Sequence, residues 1–228
     1  MMATQTTRYP DPDPSLLIHY LTLRKSVGLL GIFLPLVLIF GVKFITNCHT
    51  LQDSISDYYY TKMGHYMTGT LCAVSLFLFS YKGYEKKDLL AGRTASLLAL
   101  GVAFFPCSNF YPLSECKVLE LKGNETINII HFGSAALLFL AFAYFSFFLF
   151  TKSSGHPTKK KKQRNVIYRI CGITILSCII LIFLYSVIPA LHEQFKNYKP
   201  IFWLEAIALE AFGLSWLTKG EALLPDKK

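Results

Sequence analysis

Six long apolar blocks constrain this chain more than any other feature of its sequence. They cover residues 26–46, 65–81, 89–106, 128–151, 166–188 and 200–218 of the 228-residue chain. Because roughly 20 residues of helix cross a hydrocarbon core of about 30 Å, each block is close to the length of one membrane span. Charged residues make up only 16% of the chain, whereas about 25% is usual in soluble domains. The sequence therefore predicts a polytopic membrane protein and argues against a soluble enzyme.

The blocks favour helices over membrane strands. A strand that spans a membrane needs only about 9 to 11 residues, and its apolar residues alternate with polar ones. Residues 129–150 are instead apolar almost without interruption. We therefore predict an all-α fold with six transmembrane helices.

The distribution of basic residues predicts the orientation. If the helices alternate in direction, 17 Lys and Arg residues lie on the side of the termini and 6 on the other side. Basic residues near helix ends stay cytoplasmic, so both termini are expected in the cytoplasm. This divides the chain into a cytoplasmic tail (residues 1–25), a membrane domain (26–218) and a second cytoplasmic tail (219–228).

A run of four lysines, residues 159–162, is predicted to lie in the loop between the fourth and fifth helices. The positive-inside rule explains this run, and attraction to anionic lipids of the inner leaflet is a second explanation. Nucleic-acid binding would need aromatic residues interleaved with the basic ones. Ser153, Gly155 and Pro157 stand there instead, so no nucleic-acid partner is expected.

The cysteines suggest one disulfide. Cys107 and Cys116 fall in a single outer loop, and a bridge between them would close it if the outer compartment is oxidising. That pairing leaves Cys48 unpaired. No spacing of cysteines and histidines indicates a structural zinc site.

Ionisable residues gather at one depth near the predicted outer face. His65, His131 and Glu205 each follow the start of a helix that enters from outside, and Asp57 precedes one of these helices. At about 1.5 Å per residue, His131 lies about 5 Å and Glu205 about 8 Å below their helix starts. Because ionisable groups are costly in lipid, we predict that Asp57, His131 and Glu205 share one water-accessible pocket, with His65 at its rim.

Each of these residues also has a purely structural explanation. Asp57 or the neighbouring Ser56 can cap a helix, and His65 can be an interface residue without a ligand. A structural explanation is harder to give for His131, because small residues such as Gly133 and Ser134 follow it and permit close helix contact.

Short motifs at the same positions resemble a known family. They are Ser54-Ile55-Ser56-Asp57 before the second helix, the segment that begins with His131, and Glu205 in the last helix. In these motifs the chain is similar to the Frag/DRAM/Sfk group of six-span membrane proteins, which includes a factor in lipid remodelling of GPI anchors. The resemblance implies an Ile-Ser-Asp element at Ile55 to Asp57, a helical His at His131 and a helical Glu at Glu205. Residues 213–220 depart from the eukaryotic members, which favours a bacterial branch and an inner-membrane location.

Two classes of function remain open at this point. In the first, Asp57, His131 and Glu205 are catalytic, and with His65 they hold a divalent metal such as zinc that assists hydrolysis of a lipid. In the second, the same polar layer binds a lipid headgroup or small amphiphile without chemistry, as a scaffold, sensor or transporter. Membrane lipid is the expected partner in both classes, and the identity of the cofactor is open.

Overall fold

The fold was analysed in a computed structural model, which describes residues 14–46, 48–83, 85–107, 116, 118–119, 124–153 and 155–225. Within this part every regular element is a helix, and no strand is present. The main helices are α1 (Pro14–Thr46), α2 (Gly64–Phe79), α3 (Lys86–Phe104), α4 (Glu125–Tyr144), α5 (Lys159–Val187), the short α6 (Pro189–Phe195) and α7 (Pro200–Lys219). A 3₁₀ helix, Ser56–Tyr60, precedes α2, and a π-helical turn, Phe145–Leu149, continues α4.

Each predicted block lies largely on one of the six long helices. Four of them are long and apolar enough to cross a membrane: His19–Thr46 of α1, Glu125–Leu149, α5 and α7. The α2 helix is apolar but shorter. Charged residues in the first two turns of α3, Lys87, Asp88 and Arg93, lower its hydropathy. The coarse prediction of an all-helical protein with apolar, membrane-compatible helices is thus confirmed.

The six long helices pack in a closed ring in the order α1, α2, α3, α4, α5 and α7. The α1 and α7 helices approach most closely at Gly28 and Gly213, where a Cβ atom on Gly213 would lie 2.6 Å from the Gly28 carbonyl oxygen. Elsewhere the ring is filled by aromatic side chains. Phe142 of α4 and Phe212 of α7 stack with their ring centroids 3.8 Å apart, and Trp216 is 2% exposed.

The two ends of the ring differ in chemistry. At one end of the ring, the last turns of α1 lie near the 3₁₀ helix and the starts of α4 and α7. We call it the disulfide end, because it carries the disulfide between Cys48 and Cys116. At the other, called the basic end, the start of α1 meets the end of α7, where the Arg24 guanidinium donates to the Lys219 carbonyl. Lys152 and Asp88 form an ion pair of 2.6 Å at the same end.

Three local features differ from the sequence predictions. The α1 helix begins at Pro14, inside the predicted tail. The lysines at 159–162 form the first turn of α5 rather than a loop, because the Thr158 hydroxyl caps the helix by accepting from the Lys161 N–H at 3.1 Å. The short α6, which begins at Pro189, was not anticipated.

The predicted bridge between Cys107 and Cys116 is wrong. The disulfide joins Cys48 to Cys116, with their Cα atoms 5.4 Å apart, a separation typical of disulfides. Backbone N–H groups of Val118 and Leu119 donate to the Tyr60 carbonyl at 2.9 and 3.2 Å. These bonds hold the segment after Cys116 against the 3₁₀ helix, beside Cys48. Cys107 stays outside the bridge, and its carbonyl accepts from the Tyr60 hydroxyl.

Candidate functional site

Residues 53–57, which lead into the 3₁₀ helix and include its first two residues, are held against α7 by two hydrogen bonds. The Ile55 N–H donates to Glu205 Oε2 at 2.6 Å, and the Phe202 N–H donates to the Asp53 carbonyl at 3.0 Å. Within the loop, the Ser54 hydroxyl donates to Asp57 Oδ2 at 3.1 Å and accepts from the Asp57 N–H at 3.1 Å. We call this segment the site loop. These hydrogen bonds give the segment a defined shape at the start of the 3₁₀ helix.

His131 connects the site loop to α3 and α4. Its side chain is buried, and Nδ1 lies 2.7 Å from the Phe105 carbonyl oxygen, while Nε2 lies 3.0 Å from Ser56 Oγ. Since a carbonyl can only accept a hydrogen bond, we assign the proton to Nδ1. In the neutral ring, Nε2 then accepts from the Ser56 hydroxyl. This is the arrangement of a serine with a neighbouring imidazole base.

A cavity of about 580 Å³ lies beside the site loop, between α4, α5 and α7. Its polar side is formed by Ser56 and Asp57 of the loop with Glu205 of α7. Its other walls are mostly apolar, and they come from Phe132, Ala135, Ala136 and Phe139 of α4, Ile179, Ile182 and Phe183 of α5, and Ile201 of α7. The cavity therefore has one polar region and a long apolar surface.

A narrower void of about 60 Å³ extends into the ring from Ser56 and Glu205, which line both spaces. Its lining is otherwise almost entirely apolar and includes Leu34, Met67 and Phe212. Ser56 and Glu205 thus stand at the junction of the open cavity and the interior of the ring.

The four residues singled out in the sequence fall in three different positions. Asp57 and Glu205 line the cavity directly. His131 does not line it but contacts the lining residue Ser56. His65, in the first turn of α2, is exposed and is not part of the lining. The structure therefore brings three of the four to one region of the disulfide end and leaves His65 outside.

The residues do not fit the metal site expected from the sequence. Among the described residues, no group of three His, Cys, Asp or Glu side chains is placed to hold an ion. Both ring nitrogens of His131 are already engaged, with Phe105 and Ser56, and His65 faces away. A zinc site needs three or four ligand atoms at about 2 Å from one point, so we derive no chemistry from a metal here.

Tyr58 forms part of the packing below the site loop. It is 1% exposed, and its ring lies 6.0 Å from that of Phe202. Burial raises the pKa of Tyr58 to about 12, because removal from water disfavours the phenolate. The ring therefore stays neutral across the physiological range and adds no charge to the site.

Ser56 is the residue whose role the sequence left least defined. It enters the sequence argument only as a possible helix cap and as a member of the Ile-Ser-Asp element. In the structure it contacts His131 and lines both spaces. Its position depends on a contact across 75 residues of chain, and no local pattern could have indicated that contact.

Comparison with known proteins identifies no relative. No family model matches the chain, and neither a curated protein nor a solved structure matches it.

Proposed function

We propose that this is a six-span membrane protein that binds a lipid or similar amphiphile in the cavity beside the site loop. The polar headgroup contacts Ser56, Asp57 and Glu205, and an acyl chain lies along the apolar walls of α4 and α5. The observation that carries this proposal is the combination of one polar region and a long apolar surface in a cavity of about 580 Å³. Ligand sites of this size bury most of a small molecule, and their few polar groups fix its orientation.

The wall residues support entry from the membrane. Phe132 and Phe183 line the cavity on α4 and α5 and are 60% and 62% exposed. Exposed apolar side chains of this kind are expected to face lipid tails in a membrane. A chain-bearing ligand could then pass from the bilayer to the cavity without crossing water.

The orientation of the protein belongs to the same proposal. Both termini and the basic end lie in the cytoplasm, which places the site loop near the outer leaflet, and the membrane is the inner membrane of a bacterium. The charge distribution supports this orientation. The resemblance of the Ser54 to Asp57 segment, His131 and Glu205 to the Frag/DRAM/Sfk group supports a role at lipids.

Lipid binding can be tested by filling the cavity. Ala136 of α4 lines the cavity, whereas the adjacent Leu137 does not. The protein is purified in detergent, and co-purified lipid is measured by mass spectrometry. Ala136→Trp should lose most of the lipid bound by the wild type, and Leu137→Trp should retain it. Equal lipid content in both variants and the wild type would reject the cavity as the binding site.

The orientation has a separate test. Lys159 at the basic end and Glu125 at the disulfide end are both exposed. A cysteine introduced at position 125 should react with an impermeant maleimide in intact cells, and one at position 159 should react only after permeabilisation. The reverse pattern would show that the orientation is inverted.

A second candidate function is acyl transfer, and the Ser56–His131 contact favours it. In this reaction Ser56 Oγ attacks the carbonyl carbon of a lipid ester while its proton passes to His131 Nε2. The bond to the alcohol breaks, the alcohol takes the proton from Nε2, and water later releases the acyl group from Ser56. The Phe105 carbonyl holds the imidazole in the required tautomer through Nδ1.

This candidate is tested with a fluorophosphonate, which labels activated serines. We expect labelling at Ser56, its loss in Ser56→Ala and a strong reduction in His131→Gln. Ser186 lines the same cavity, so Ser186→Ala is the matched control and should label normally. Absence of labelling in the folded wild-type protein would reject acyl transfer but leave lipid binding in place.

A further inference from the structure

A second cavity, of about 320 Å³, lies at the basic end. It is formed where the start of α1, the segment after α4, the start of α5 and the end of α7 meet. The residues that line it include five cationic side chains, Arg24, Lys152, Lys161, Arg164 and Lys219, and one carboxylate, Glu221. We call it the basic pocket. It lies at the end of the ring opposite the site loop.

Carboxylates of the described residues pair with two of these cations. Lys152 pairs with Asp88 at 2.6 Å and with Glu85 at 3.5 Å, and Arg164 lies 3.8 Å from Glu221. Among the residues that the structure describes, five cationic side chains stand beside three carboxylates. Arg24, Lys161 and Arg164 are close enough to Lys219 to repel its ammonium group.

Backbone carbonyls hold several of the cations in place. Lys161 Nζ donates to the Phe150 carbonyl at 2.6 Å, and Arg164 Nη1 donates to the Leu224 carbonyl at 3.2 Å. Arg24 Nη1 lies 3.4 Å from the Lys219 carbonyl. Such contacts orient the side chains and hold five basic groups around one cavity.

One buried donor beside the pocket has no acceptor in the described part of the chain. Arg24 Nε is inaccessible to solvent and makes no hydrogen bond to any described residue. The Arg24 guanidinium stacks on the Tyr20 ring at 4.0 Å, and a buried donor without a partner is unfavourable. An acceptor that carries negative charge would satisfy this donor.

We propose that the basic pocket binds a phosphate group. Guanidinium and ammonium groups are the usual ligands of phosphate, which offers several acceptor oxygens and up to two negative charges. Here Arg24, Lys161 and Lys219 come from three helices of the ring, so a bound phosphate would join α1, α5 and α7. The phosphate belongs either to a membrane lipid or to a soluble phosphate compound, since both present the same chemistry.

The proposal is tested with full-length Ala136→Trp protein in detergent, in which the cavity beside the site loop is filled, and with three probes in a calorimetric binding assay. The probes are a short-chain phosphatidic acid, a short-chain phosphatidylcholine and inorganic phosphate. Binding of phosphatidic acid well above that of inorganic phosphate identifies a lipid as the source, and equal binding identifies a soluble phosphate. Binding of phosphatidylcholine as strong as that of phosphatidic acid, or no binding of any probe, would overturn the proposal.

The chain offers a matched control for this pocket. Lys161 lines it, whereas the neighbouring Lys162 is exposed and does not. We expect Lys161→Gln to weaken binding at least about fivefold, because a charge-assisted hydrogen bond is lost, and Lys162→Gln to change it less than about twofold. Equal losses of binding in both variants would show that the probe is attracted by diffuse charge, and would overturn the proposed phosphate site. If Lys161→Gln does not fold, Arg24→Gln gives the same comparison with Lys162→Gln.

Discussion

The contact of α1 with α7 gives a prediction whose magnitude can be worked from distances. In Gly213→Ala, the new Cβ would lie 2.6 Å from the Gly28 carbonyl oxygen and 2.6 Å from Ile32 Cγ1. An ordinary contact begins at 3.4 Å, so the two helices must separate by about 0.8 Å locally. Because one of these atoms belongs to the backbone, a rotamer change cannot relieve the contact. Overpacking of this kind costs about 1–3 kcal/mol.

The alanine also brings a gain that must be separated from this cost. Replacing Gly by Ala inside a helix gains up to about 1 kcal/mol from helix propensity. Gly69 of α2 provides the control, since a Cβ there meets nothing within 4 Å. Gly69→Ala therefore reports the gain alone, and the difference between the two variants reports the overpacking.

The assay is thermal unfolding of both variants in the same detergent. At about 2–4 °C per kcal/mol for a chain of this size, Gly213→Ala should unfold roughly 2–12 °C below Gly69→Ala. Equal melting temperatures would refute the reasoning, because they would mean that α1 and α7 are not in backbone contact at Gly213. A melting temperature of Gly69→Ala below that of the wild type would refute the assignment of open space around Gly69.

Three further predictions concern stability and covalent structure. Glu205→Ala leaves the Ile55 N–H without its acceptor and should lower the free energy of unfolding by about 1–3 kcal/mol. Glu205→Gln keeps an acceptor and should lower it less. Equal effects of the two variants would contradict the hydrogen bond. Cys48→Ser should abolish the mobility difference between reduced and oxidised protein on a gel, and Cys107→Ser should preserve it. The hydrogen bond to Asp88 raises the pKa of Lys152 in the folded protein. The bond therefore stabilises the fold fully below the pKa of Lys152 in the unfolded chain, about 10.4. This contribution disappears as the pH rises through the higher pKa of Lys152 in the folded protein. The melting temperature should consequently fall more steeply above about pH 10 in the wild type than in Asp88→Asn, and parallel curves would contradict the linkage.

The helices were predictable because their signal is local. A block such as residues 166–188 identifies a helix by length and hydropathy alone, and Pro200 marks the start of α7 where a missing N–H is tolerated. The early start of α1 was missed because Arg24 and Lys25 separate its first ten residues from the apolar block that follows. These charges suit the basic end of the ring but interrupt the apolar pattern.

The disulfide and the site depend on contacts between distant segments. Cys48, Cys107 and Cys116 all lie at the disulfide end. Cys116 pairs with Cys48 because the segment after Cys116 is bonded to Tyr60. The depth argument placed Asp57 and Glu205 at one level, and both line the same cavity. It could not determine the direction in which a side chain points around its helix, so it also included His65, which lies outside the lining.

The length of α1 sets how far the protein reaches beyond the bilayer. Its 33 residues extend about 50 Å, and α5 with 29 residues extends about 43 Å, against a hydrocarbon core of about 30 Å. A tilt of the usual size takes up only a few ångströms of this excess. If both helices cross the membrane, their first turns stand above the acyl chains at the level of the headgroups. A molecule that approaches the basic end from water would therefore contact the projecting first turns of α1 and α5 before it reaches lipid.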